Sequence, residues 1–140
     1  MKKIPYGISS FEKIKSGNYY FVDKTKYIEV IEENGSPYLF FLRPRRFGKS
    51  LFISMLEHYY DINSADQFEK LFGDTYIGQN PTPLRNTYPV LRFNFSMVKT
   101  QGTIEQLKHG FCLNVWAEMK TIILKYKTRY NLDEEFLKKN

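Results

Sequence analysis

Gly48, Lys49 and Ser50 are the residues of this chain whose types and spacing best suit chemistry, and the chemistry is phosphate binding. They close the run Arg43-Pro44-Arg45-Arg46-Phe47-Gly48-Lys49-Ser50. Successive N–H groups turned inward at the positive end of a helix dipole hold dense negative charge. Gly48 lets the backbone come close to a phosphate chain, Lys49 is placed to reach β- and γ-phosphates, and the Ser50 hydroxyl suits Mg2+. The full pattern opens with a glycine, and here Arg43 stands in its place. Pro44 removes no donor that matters, because the amides that close on phosphate come from about Phe47 to Ser50. Pro44 also pushes Arg43 toward an extended conformation, so the turn is expected one residue later. The expected nucleotide-binding set is Arg45, Arg46, Phe47, Gly48, Lys49, Ser50 and Leu51, with Ser50 on the metal. Two other readings stay open: a basic module that binds nucleic acid through Arg43, Arg45, Arg46 and Lys49, and a degenerate loop used for protein contacts.

Such residues work only if neighbouring elements hold them. Tyr38 to Leu42 is continuously apolar, the pattern of a strand buried on both faces in a parallel sheet. Leu51, Met55 and Tyr59 recur every four residues with Phe52 and Leu56 beside them, which predicts a helix starting at the loop. Ahead of the strand, residues 9–16 read as a short helix capped by Ser9 or Ser10 and ended by Gly17. Residues 24–34 read as a second helix, capped by Asp23 and ended by Gly35. Beyond the loop, Ser64 to Phe72 predicts a helix capped by Ser64 and stopped by Gly73. Residues 74–88 read as loop, and Val90 to Phe95 as a second strand. Thr103 then opens the longest helix, with Ile104, Leu107, Phe111, Val115, Met119, Ile122 and Tyr126 as its stripe. Asn131 breaks it, and residues 133–139 begin another. The expected fold class is α/β: a partial phosphate-loop NTPase fold, with parallel strands flanked by helices and N-terminal helices before the first strand.

Composition sets the outer bounds. The chain has 140 residues, 42% apolar and 17% aromatic, enough for one domain with a core. It has no run of eighteen apolar residues, so no membrane partner is expected. Cys112 is alone, which fits a reducing, cytoplasmic setting, and its helical surroundings predict a small buried hydrophobe. His58 and His109 lack metal spacing. The net charge of +6 permits a polyanionic partner, and only Arg43–Lys49 is a dense basic cluster. Two strands do not make a parallel sheet. An ATPase of this kind also needs an apolar strand ending in an acid, to help place Mg2+ and the attacking water. Val90 to Phe95 ends in Ser96 instead. Residues 1–140 are therefore expected to be the N-terminal part of an ATPase domain, completed by a C-terminal part of the same protein, and to hydrolyse ATP weakly alone.

Tyr20-Phe21-Val22-Asp23-Lys24-Thr25, followed by Phe40 through Leu51, resembles the AAA-ATPase-like family. That family carries an aromatic-Val-Asp-Lys-Thr box and an Arg-Pro-Arg-Arg-Phe-Gly-Lys-Ser/Thr loop. The resemblance covers most of the chain and makes the missing opening glycine a family trait. It implies ATP and Mg2+ as ligands at residues 43–50. Many members end in a domain resembling PD-(D/E)xK nucleases, which links the family to nucleic-acid or defence systems; this chain holds no such part. The Tyr20–Thr25 box has two readings: Tyr20, Phe21 or Val22 against adenine, or aromatics filling the core while Asp23 caps a helix.

Overall fold

The computed structural model of the chain describes residues 1–98 and 101–132. Its elements are helices: α1 (Phe11–Ser16), α2 (Tyr27–Asn34), α3 (Lys49–Tyr60), a 3-10 helix (Ile62–Gln67), α4 (Phe68–Phe72), α5 (Tyr76–Gln79), a second 3-10 helix (Phe95–Met97) and α6 (Ile104–Tyr130). They fall into two compact units, Met1–Val90 and Leu91–Asn140.

Local chemistry explains most of the helix ends. The Ser10 hydroxyl accepts from Lys13 N–H and starts α1. Gly35 ends α2 in the left-handed region, φ 61°. Asp61 stops α3 and caps the 3-10 turn that follows, accepting from Asn63 N–H; Ser64, the expected cap, is buried against His58 instead. Thr103 and Gln106 cap α6 reciprocally, and Asn131 closes it at φ 48°. The last carbonyls of α3 also find partners: Asn86 N–H donates to Tyr59 O at 2.8 Å and Tyr88 N–H to Tyr60 O at 3.0 Å.

The core of the first unit joins Phe11, Ile28, Met55, Tyr59, Phe68, Leu71, Phe72 and Ile77. Phe11 lies 4.9 Å from Phe72, and Tyr59 meets Phe72 edge-on at 5.6 Å. Fully burying one such ring stabilises by roughly 1.5–3 kcal/mol. The core fixes the orientation of α3, because Met55 and Tyr59 lie on it. A buried hydrogen bond adds register: Ser54 Oγ accepts from Phe11 N–H at 3.1 Å.

The α/β expectation is not met. Among the described residues no strand ladder forms, and parallel strands flanked by helices are not seen. Among the described residues there are two isolated parallel bridges, Lys3 with Tyr19 and Asp61 with Tyr88. The reason is pairing. A strand apolar on both faces needs neighbours on both edges, and no described segment pairs with residues 38–42. Tyr38, Phe40 and Leu42 are 88%, 87% and 75% exposed, while Leu39 and Phe41 are about half so. That alternation marks a chain laid with one side on α3, where Phe41 lies 5.3 Å from Phe52.

Residues 90–95 likewise make no ladder; their end turns into the second 3-10 helix, with Asn94 accepting from Ser96 N–H. In the second unit the rings of Phe93, Phe95 and Phe111 stack in series, 6.1 and 5.3 Å apart. The stripe expected on α6 is mostly half-buried, with Tyr126 buried and Ile104 and Phe111 exposed. Cys112 is exposed rather than buried. The helix expected at 133–139 lies outside the described residues.

Candidate functional site

The segment from Arg43 to Ser50 folds back on itself. Arg45 and Arg46 form a turn, and α3 begins at Lys49. Two residues take positive φ: Arg46 at 68° and Gly48 at 76°. At Gly48 glycine meets no steric resistance, and a Cβ there would touch nothing within 4 Å, so the requirement is one of backbone conformation alone. At Arg46 a side chain is held where L-residues cost energy.

Lys49 closes the loop. Its Nζ donates to the carbonyl oxygens of Arg43, at 2.5 Å, and Pro44, at 3.1 Å. The side chain from the helix start thus reaches back to the first two residues of the run. A straight segment could not make those contacts, since six extended residues would span about 20 Å.

Donors are left open inside this curve. Gly48 provides no side-chain cap for α3. Among the described residues, the N–H groups of Gly48, Lys49 and Ser50 have no acceptor, and the first bond of the helix is Phe52 N–H to Gly48 O. Those N–H groups carry the positive end of a 12-residue helix. Arg43, Arg45, Arg46, Phe47 and Ser50 are exposed, and Lys49 is half-buried. Among the described residues no carboxylate lies within ion-pair distance of Arg43, Arg45, Arg46 or Lys49. Leu51, the last residue of the expected set, points away from the loop and packs on the core.

Donor type fits a phosphate chain with Mg2+: unbonded amides, one ammonium that can leave neutral carbonyls, and an exposed hydroxyl. Of the expected residues, the structure brings Gly48, Lys49 and Ser50 together at the helix start, with Arg45, Arg46 and Phe47 on the outer turn. Among the described residues no group of His, Cys, Asp and Glu could hold a metal by itself, and no helix is long and apolar enough to cross a membrane.

Of the two readings of the Tyr20–Thr25 box, the second holds for Phe21, which packs on the core, while Tyr20 and Val22 are exposed and Asp23 is not a helix cap. Asp23 does not cap α2, which starts at Tyr27 behind Lys26 with no side-chain cap. Its Oδ1 accepts from Thr25 N–H at 2.8 Å, an Asx turn. Its Oδ2 accepts from Tyr76 N–H at 2.8 Å, at the first turn of α5. Thr25 is fully buried, and its hydroxyl accepts from Ile77 N–H at 3.1 Å. Phe21 meets Phe11 edge-on at 5.4 Å. Partial burial opposes the charge on Asp23, but the Tyr76 amide, Thr25 and Lys15 outweigh it, so its carboxyl titrates below the ordinary aspartate value. This clasp between residues 23–25 and 75–77 is invisible to periodicity. Its one local signal is the Asp-x-Thr spacing of an Asx turn.

Comparison with known proteins agrees with the motifs. A family model described as predicted AAA-ATPase matches residues 5–139. A protein described as an uncharacterized protein in the vnfD 5′ region of Azotobacter chroococcum mcd 1 is 42% identical over 95 residues, covering 67% of this chain. The match covers 17% of that relative's length. No solved structure matches the chain. With 5–139 of its 140 residues matched, the chain belongs to the predicted AAA-ATPase family.

Proposed function

We propose that residues 43–50 bind the phosphate chain of ATP with Mg2+, as part of an ATPase. The observation that carries this reading is the path of Lys49, whose Nζ crosses the loop to Arg43 O and Pro44 O beside the open amides of Gly48, Lys49 and Ser50. An arriving β- or γ-phosphate offers the ammonium a charged acceptor in place of neutral carbonyls. The amides of Gly48 to Ser50 hold the phosphate oxygens, and the Ser50 hydroxyl meets Mg2+. Arg45 and Arg46 raise the local positive potential and speed capture of the anion. Bound Mg2+ supplies charge neutralisation between the phosphates.

Calorimetric titration with MgATP tests it. Lys49→Ala removes a charge-assisted contact worth about 1.5–3 kcal/mol, so affinity is expected to fall about tenfold or more. Equal binding by both proteins sinks the assignment. A second reading draws on the exposure of Arg43, Arg45 and Arg46: a single nucleic-acid strand could follow the same cations. It predicts binding to single-stranded DNA that falls steeply with salt and is indifferent to ATP.

A further inference from the structure

We propose that Arg85 and Glu69 bind a small zwitterion, an α-amino acid or a molecule with the same pair of charges, in the cavity beside α4. Preorganisation is the first ground. Arg85 lies in a turn tied down at both ends. Thr82 N–H donates to Tyr59 Oη at 2.8 Å, and the Thr82 hydroxyl donates to Glu32 Oε1 at 2.9 Å. Asn86 N–H donates to Tyr59 O at 2.8 Å, and Asn86 Nδ2 to Asp61 O at 2.8 Å and His58 O at 3.2 Å. Asn86 takes a left-handed φ of 51°, a conformation asparagine adopts more readily than most residues.

Within this turn the Arg85 guanidinium lies over the buried ring of Phe68, 4.5 Å from its centroid. Such a contact restrains the cation while its N–H groups remain free to donate in the guanidinium plane. Much of the ordering that binding would otherwise cost is then in place before a ligand arrives. A restrained planar fork suits a carboxylate, which it meets with two parallel bonds.

Charge is the second ground. Arg85 and Glu69 line one cavity of about 430 Å3, with Phe68 and Asn86, a size within the roughly 300–1,000 Å3 of small-molecule sites. Although they share this cavity, the two opposite charges do not lie within ion-pair distance of each other. A phosphate dianion entering between them is opposed by Glu69, and a simple amine is opposed by Arg85. A molecule that carries a carboxylate and an ammonium close together matches both.

NMR titration of the intact chain with glycine, acetate, glycinamide and inorganic phosphate, at neutral pH and fixed ionic strength, tests the site. The resonances to follow are Arg85 Nε–Hε and the backbone amides of Glu69 and Asn86. Glycine is expected to bind about threefold or more tighter than acetate, the range of an exposed charge pair. Glycinamide, which lacks the carboxylate, and phosphate are expected to bind more weakly than glycine. Glu69→Gln is expected to bring glycine down to the level of acetate. Arg85→Lys, which keeps the charge without the fork, is expected to weaken both about tenfold. Both side chains are exposed, and a circular dichroism melt checks that each variant keeps the fold. Resonances that glycine does not move overturn the proposal. So does acetate or phosphate binding as tightly as glycine, or glycine binding that neither variant changes.

Discussion

Arg46 sets stability against binding within one residue. Its φ of 68° lies where a side chain costs roughly 1–2 kcal/mol, and its charge is exposed two residues ahead of Gly48. Glycine at this position removes both the backbone cost and the charge. Arg46→Gly is therefore expected to raise the melting temperature slightly while weakening MgATP binding. Thermal melts paired with calorimetry read the two signs, and a variant that loses on both counts would show that the guanidinium also supports the fold. Gly48 is the converse case: its 76° suits glycine, and it was readable from the triplet in the sequence. The strain at Arg46 was not, because nothing in residue type announces a left-handed arginine.

Among the elements, the short ones depend most on distant partners. α5 has only four residues, too few to persist by hydrogen bonding along its own axis. It is held by Thr75, which caps it, by Asp23 at Tyr76 N–H, and by Thr25 at Ile77 N–H. The sequence alone reads residues 74–88 as loop, because this support comes from about fifty residues away. The caps of α1 and α6, at Ser10 and Thr103, and the glycine that ends α2 are local and were legible, whereas the start of α2 was not: it begins at Tyr27 without the expected Asp23 cap.

Asp23 makes the clasp pH-dependent. Its folded carboxyl titrates below its unfolded value, so its contribution is complete above about pH 4 and is lost as pH falls through the folded value. Melting temperature followed between about pH 2.5 and 6 is expected to drop toward acid more steeply in the native protein than in Asp23→Asn. Parallel curves would mean that the carboxylate contributes nothing there.

For the molecule as a whole, the failed strands are the main lesson. Residues 38–42 and 90–95 have the composition of buried strands, and periodicity cannot tell whether the neighbours that would bury them exist. Pairing is a property of the whole set of segments, and among the described residues neither run belongs to a strand ladder. The placing of α3 does not depend on a sheet, since Met55, Tyr59 and Ser54 orient it. The exposed side of residues 38–42 remains a liability, because a contiguous apolar edge promotes association. Phe40 is 87% exposed. Phe40→Lys is expected to lower concentration-dependent light scattering without lowering the melting temperature. Unchanged scattering would place the association, if any, on another surface.

The unbonded amides at the head of α3 have one more consequence. Nitrogens without an acceptor trade their hydrogens with the surrounding water almost as fast as those of an unfolded peptide, whereas Phe52 and the residues behind it are shielded by the helix. Gly48, Lys49 and Ser50 are thus a built-in isotope clock at the edge of a slow region. Whatever settles there stops the clock locally, and leaves the rest of the chain's exchange untouched.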